Sequence, residues 1–162
     1  MILRIRWVNR NQWVNWMNQR LSSSKMQLLE EAVGRAAIRT QQEMRNHLER
    51  LVYAQPSSAS GYVRTYTLMR STHAASPEDD HSADESRSAN GSDLRASSAS
   101  DVVNRRGDTI MSEVGSWISY AWYVHEGASG HGPRPFVTMA RPEAERALQQ
   151  EVEQAVVRMM AA

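Results

Sequence analysis

The sequence predicts an α+β fold, in which a small antiparallel sheet packs against one long helix in the N-terminal half and one C-terminal helix, with a long inserted loop. Two segments alternate apolar and polar residues as strands do, and two others repeat apolar residues at helical spacing. A polar stretch, residues 71–101, lies between them. We expect a single domain, 1–162, with roughly 130 residues available for its core.

The chain opens with a segment predicted to be a short edge strand, because basic residues alternate with apolar ones. In this segment Leu3, Ile5 and Trp7 alternate with Arg4, Arg6 and Val8. Apolar residues then recur at helical spacing, at Trp13, Trp16, Met17 and Leu21. Ser24-Lys25-Met26-Gln27 has the form of a capping box, which restarts or continues a helix.

A long amphipathic helix is predicted next, and Gln55-Pro56 is expected to end it. Its apolar residues step by three and four along the chain: Leu29, Val33, Ala36, Ala37, Thr40, Met44, Leu48 and Leu51. Charged residues fall mostly off this line, which is typical of a helix with one buried face.

The polar stretch 71–101 is predicted to be a mobile, low-complexity loop. Leu94 is its only large aliphatic residue, so the segment has too little apolar surface to offset the entropy of ordering it. Beyond it a half-buried strand is predicted, in which Ile110, Val114 and Ile118 alternate with Ser112 and Ser116. Val102 and Val103 are expected to open a partner strand, with the turn at Arg106-Gly107-Asp108.

The last element is predicted to be a helix that begins at Arg141-Pro142-Glu143, since proline favours the first helical position and carboxylates suit a helix N-terminus. It carries one apolar stripe, formed by Ala144, Leu148, Val152, Ala155, Val156 and Met159.

Composition excludes several function classes. The absence of cysteine excludes a disulfide framework, a zinc ribbon and a thiol nucleophile. A net charge of +1 gives no overall attraction to DNA. The apolar run at the N-terminus contains arginines, and no segment has the ~18 uncharged apolar residues of a membrane span, so neither a signal peptide nor a membrane anchor is expected.

No catalytic, cofactor-binding or metal-ligating residues are predicted. His125 and His131 stand six residues apart across glycines, unlike the helical pair of a metalloprotease. The glycine-rich run 127–132 lacks the Lys-Ser/Thr of a phosphate loop, and no serine lies in a nucleophile elbow. The acidic run around Glu78 and Asp84 lacks the residue order of a calcium loop.

Arginine and tryptophan are frequent near the N-terminus, which leaves a nucleic-acid hypothesis open. The residues concerned are Arg4, Arg6, Trp7, Arg10, Trp13 and Trp16. Tryptophans can stack on the bases of single strands, but at helical spacing they equally suit a core or a subunit contact.

Two motifs resemble those of the neck or tail-completion proteins of long-tailed bacteriophages. Tyr120-Ala121-Trp122-Tyr123-Val124-His125-Glu126-Gly127, followed by Pro133-Arg134-Pro135-Phe136 and Ala140, is similar to a family signature of an aromatic turn, Arg-Pro-Phe and a closing helix. His125 stands between Val124 and Glu126, so the acidic residue lies one position later than in the family signature. Thr65-Tyr66-Thr67-Leu68-Met69-Arg70-Ser71 resembles a second motif, with Tyr66 in place of its glycine and the leucine one position later.

The resemblance implies a non-enzymatic virion protein, assembled in the host cytoplasm, that forms a homo-oligomeric ring with six subunits at the head-tail junction. Its implied partners are head-closure or connector proteins and the tail terminator or tail tube, with DNA passing through the lumen without sequence-specific binding and no cofactor. A tail terminator or a head-closure stopper is the alternative within this class. A small nucleic-acid-binding protein is the alternative from another class.

The residues of both motifs are candidate intersubunit residues: Thr65, Leu68, Ser71, Tyr120, Tyr123, Val124, Glu126, Gly127, Pro133, Arg134, Pro135 and Phe136. Two prolines fix the backbone around Arg134, and Phe136 is expected to anchor the segment in apolar surface. Arg134 then has two possible roles. It contacts a carboxylate of the next subunit, or it caps its own helix or pairs with Glu126.

Overall fold

The computed structural model describes residues 1–8, 23–54, 66–96, 98–107, 109–127 and 132–161, without the side chains of residues 5–8. The predicted α+β class is confirmed, with a four-stranded antiparallel sheet and two long helices. The strands are β1 (Ile2–Val8), β2 (His73–Ala75), β3 (Asn104–Arg106) and β4 (Thr109–Gly115). The helices are α1 (Ser23–Leu48), α2 (Thr67–Ser71), α3 (Asp84–Ala89), α4 (Ala121–Glu126) and α5 (Phe136–Ala161).

Strand β4 is the centre of the sheet. It pairs along its whole length with β1, from Ile2 opposite Gly115 to Val8 opposite Thr109. Its other edge pairs with β2 at one end and with β3 at the other. The predicted first strand is therefore confirmed, and within the part of the chain that the structure describes it lies at the edge.

Helix α1 buries the apolar line that its sequence predicts. Every residue of that line from Leu29 to Leu48 is buried, and Leu51 is half-buried. The helix continues into one π-helical turn, Glu49–Tyr53, which Ala54 closes with an N–H bond to the Glu49 carbonyl of 2.7 Å. The predicted end at Gln55-Pro56 lies outside the described residues, as do the helical spacing at Trp13–Leu21 and Thr65.

Helix α5 packs against α1, and its predicted apolar stripe faces the core, with Ala144, Ala155 and Met159 buried. Its predicted start at Arg141 is wrong, because the helix begins at Phe136 and Pro142 lies inside it. A proline there removes one helical hydrogen bond to the Thr138 carbonyl. Both residues are exposed, so water can satisfy that carbonyl. None of the described helices is long and apolar enough to cross a membrane.

The hairpin needs two corrections. Strand β3 begins at Asn104, two residues after the predicted Val102, which is buried just before it. Ser112 of β4 and Ser116 just after it do not form a solvated face, because both are as buried as Ile110 and Val114. Residues two apart in a strand share a face, so Ile110, Ser112 and Val114 all point to the core.

Residues 71–101 are not a structureless loop, which corrects the prediction from composition. The segment contains β2 and α3, and most of its residues from Ser71 to Ser76 are small or polar and buried. Two polar side chains of α1 hold it. Gln41 Oε1 accepts the Ala74 N–H at 2.8 Å, and the buried Arg45 guanidinium donates to the Thr72 carbonyl at 2.7 Å.

The end of this segment lies directly on α1 at a glycine. A Cβ placed on Gly34 would lie 1.9 Å from the Ala99 carbonyl oxygen, far inside van der Waals contact. Only a residue without a side chain allows the two backbones to approach so closely.

Candidate interaction site at the aromatic turn

The described residues of the first family motif place the end of α4 against the segment that leads into α5. Helix α4 follows Tyr120 and ends at Glu126, and the next residue, Gly127, has a φ of 85°, which lies in a region that favours glycine. The Gly127 N–H donates to the Tyr123 carbonyl at 3.0 Å. The chain therefore leaves α4 through a tight glycine end, as the glycine in the motif suggests.

The returning segment is pinned to the end of α4 by backbone hydrogen bonds. The Arg134 N–H donates to the carbonyls of both Val124 and His125, each at 3.1 Å. The Phe136 N–H donates to the Arg134 carbonyl at 2.8 Å. Because Pro133 and Pro135 also fix φ on either side, the backbone at Arg134 is held in one conformation.

Phe136 is fully buried, as expected for the anchor of this turn. Its ring meets the buried His125 ring edge to face at 5.5 Å. His125 Nδ1 lies 2.8 Å from Glu126 Oε1, and its Nε2 lies 3.3 Å from Thr138 Oγ1. Both ring nitrogens thus have partners, and the imidazole joins α4 to the first turn of α5.

The Arg134 side chain is half-buried and makes no hydrogen bond or ion pair with any residue that the structure describes. The two internal roles considered for it are absent there, because Glu126 contacts His125 instead and no helix carbonyl accepts from the guanidinium. A rigid backbone therefore holds a guanidinium whose donors have no partner among the described residues.

Large apolar side chains are exposed around the same turn. Trp122 is 52% exposed and Tyr123 is 61% exposed, whereas large aromatic side chains are usually buried in a core or in an interface. Met139, in the first turn of α5, is 44% exposed. Of the other predicted positions, Pro133 is exposed, while Tyr120, Val124 and Pro135 are half-buried.

Leu68 and Ser71 of the second family motif are internal, which corrects the prediction that they contact a neighbouring subunit. Both are buried. Ser71 Oγ donates to the Leu68 carbonyl at 2.9 Å and lies 2.6 Å from Ser116 Oγ. These bonds join α2 to the segment after β4, so this motif supports the sheet that carries the aromatic turn.

Tyr66, which occupies the glycine position of the second motif, has a φ of 57°. A left-handed backbone costs a residue with a side chain about 1 kcal/mol, so the conformation explains why glycine suits this place. Its ring stacks on Tyr53 at 4.3 Å, and that stacking offsets part of the cost.

One further cluster was missed from the sequence. His73, His81, Asp84 and Trp117 come together, although they span 45 positions from His73 to Trp117. His81 and Asp84 stand three residues apart in the sequence, and this spacing alone is only a weak indication of a site. His73 and Trp117 meet them only because β2 pairs with β4 at its C-terminal end.

Comparison with protein-family models, with curated proteins and with solved structures finds no match to this chain. The resemblance of residues 120–136 therefore stays a prediction from the motifs alone.

Proposed function

We propose that this chain is a structural subunit of a ring at the head-tail junction of a tailed bacteriophage, a neck or tail-completion protein. The proposal rests on the resemblance of the aromatic turn and on one structural observation. Arg134 has a fixed backbone and a guanidinium without a partner among the described residues. In the ring it would donate to a carboxylate of the next subunit.

The exposed side chains near Arg134 suit the centre of such a contact. Tryptophan, tyrosine, methionine and arginine are enriched in protein interfaces and dominate their binding energy. Trp122, Tyr123 and Met139 supply apolar area, and Arg134 supplies a directional bond. This pairing of apolar area with one directional donor supports a protein partner.

The observations give less support to the nucleic-acid alternative. Arg4 is the only one of its six residues whose side chain the structure describes, and its guanidinium lies 2.5 Å from Glu113. A paired arginine has less charge to offer to phosphates.

Substitution of Arg134 by alanine tests the proposal. We expect Arg134→Ala to keep the circular dichroism spectrum of the wild type, because no side-chain hydrogen bond or ion pair with a described residue is lost. The ring species in light scattering should shift toward monomer, since a closed ring repeats the lost bond at every junction. The matched control is Arg141→Ala, which removes an exposed arginine whose ion-pair partner among the described residues is Glu145 of the same helix.

Rings that are equally stable in Arg134→Ala and in the wild type would contradict the role of Arg134. A wild type that stays monomeric at all concentrations and binds single-stranded DNA with strong salt dependence would overturn the ring proposal in favour of nucleic-acid binding.

A further inference from the structure

We propose that His73, His81 and Asp84 form a binding site for a divalent transition-metal ion of the zinc type. The site is separate from the aromatic turn and independent of the function proposed above. Its residues come from β2, from the connection after it and from the first residue of α3. Their ligand atoms all lie within 4.8 Å of one another.

Two of the three distances between the ligand atoms fit a metal with small adjustments, and the third is at most 4.8 Å. Asp84 Oδ2 lies 2.8 Å from His81 Nδ1 and 3.8 Å from His73 Nε2. Ligand bonds of 2.0–2.2 Å in a tetrahedral zinc site place neighbouring ligand atoms about 3.3 Å apart. One distance must therefore lengthen, and the other shorten, by about 0.5 Å. Rotation of the half-buried His81 ring can lengthen the first distance, and a small movement of the Asp84 carboxylate toward His73 can shorten the second.

The surroundings of His73 already set the tautomer that a metal needs. Its Nδ1 lies 2.8 Å from the Ser71 carbonyl oxygen, to which it donates, so Nε2 carries a free lone pair directed toward Asp84. A histidine ligand usually donates its second ring N–H to a carbonyl in this way, which fixes the ring.

The ring of Trp117 contacts both histidines of the site, and it stacks on His81. The Trp117 ring stacks on the His81 ring at 3.7 Å and is tilted against the His73 ring at 4.9 Å. Asp84 is buried beside them, and a buried carboxylate is costly unless it is paired. A cation between the three ligands would neutralise it more fully than its hydrogen bond with His81 does.

The donor set determines the class of metal. Two imidazoles and one carboxylate suit zinc, cobalt or iron, whereas magnesium and calcium prefer oxygen ligands throughout. The three residues leave a fourth tetrahedral position for water. A bound ion would cross-link β2 to the start of α3 and would stabilise a segment that has few large apolar side chains.

Titration of metal-free, tag-free protein with Zn²⁺ tests the proposal, with Co²⁺ absorption as a report on coordination geometry and Mg²⁺ as the negative control. We expect one Zn²⁺ per chain and no binding of Mg²⁺. Asp84→Asn keeps the shape of the side chain and should weaken Zn²⁺ binding at least about tenfold. Asp80→Asn is the matched control, because it makes the same change at an exposed position in the same segment.

His81→Gln serves as the second variant, since His81 is only half-buried, and it decides the question if Asp84→Asn does not fold. Absence of Zn²⁺ binding by the wild type at about 100 μM Zn²⁺ would overturn the proposal, because even a dissociation constant of this size is weak for a three-ligand site. A folded Asp84→Asn or His81→Gln variant with wild-type affinity would overturn it as well.

Discussion

Phe136 illustrates how one residue connects sequence to packing. It is the only phenylalanine of the chain, and it is fully buried where α5 begins. Its backbone N–H closes the proline turn, while its ring contacts His125 of α4. The same residue therefore fixes the position of Arg134 and joins two helices.

We predict that Phe136→Ala lowers the free energy of unfolding by about 3–5 kcal/mol, the range for removing a large buried ring. Urea unfolding followed by circular dichroism measures the change. Met139→Ala, in the same turn of the helix but exposed, should alter stability by less than about 0.5 kcal/mol. Equal effects of the two substitutions would show that the ring of Phe136 does not anchor the turn.

At the scale of elements, the sequence predicted what periodicity can specify. The buried line of α1 and the stripe of α5 were correct, because a helix with one buried face repeats its apolar residues every three or four positions. The start of α5 was missed because Pro142 is typical of a first helical turn, whereas here it is tolerated on an exposed face. The structure, not the sequence, showed that Phe136 begins the helix.

The segment 71–101 could not be predicted because polar partners hold it rather than apolar ones. Strand β2 is only His73–Ala75, too short for any alternation to be visible. Its order depends on Gln41 and Arg45, which lie about thirty residues earlier on α1, and no local pattern indicates such contacts. The cluster of His73, His81 and Asp84 was missed for the same reason.

Gly34→Ala tests how tightly this segment packs on α1. Alanine is the better helix former by about 1 kcal/mol, but here its Cβ would overlap the Ala99 carbonyl. We predict a net loss of about 2 kcal/mol, because overpacking forces the backbone apart. Limited proteolysis should show faster cleavage within 71–101 than in the wild type.

Gln42→Ala, at an exposed position of the same helix, is the control and should leave stability and cleavage nearly unchanged. If Gly34→Ala is more stable than the wild type and equally resistant to protease, Ala99 does not press on α1.

At the scale of the whole molecule, Glu151 joins the two long helices. Its carboxylate accepts from Arg35 Nε at 2.8 Å and from an Arg39 guanidinium nitrogen at 3.2 Å. Burial acts to raise the pKa of Glu151, but the hydrogen bonds and charges of the two arginines outweigh it and hold the pKa below its ordinary value of 4.5. The charged form is therefore favoured by folding.

We predict that Glu151→Gln lowers the free energy of unfolding at pH 7 by about 2 kcal/mol, the scale of hydrogen bonds to charged groups. A pKa that is lowered in the folded state gives stability that is complete above the unfolded value. That stability is lost as pH falls through the folded value. The difference between wild type and variant should therefore shrink as the pH falls below about 4.5.

Unfolding curves at several pH values measure this difference, and Glu153→Gln, which is exposed on the same helix, should show no such trend. A difference between wild type and Glu151→Gln that is constant down to pH 3 would contradict the charge pairing.

The position of β4 at the centre of the sheet also determines the order in which the protein can fold during synthesis. Strands β1, β2 and β3 all pair with β4. Ile2 therefore cannot pair in the observed register until Gly115, its partner on β4, has been synthesised. Helix α1 needs only local contacts and can form within microseconds, whereas the sheet requires the closure of a very long loop. Until β4 has been synthesised, the first strand therefore has no partner in the sheet that the structure describes.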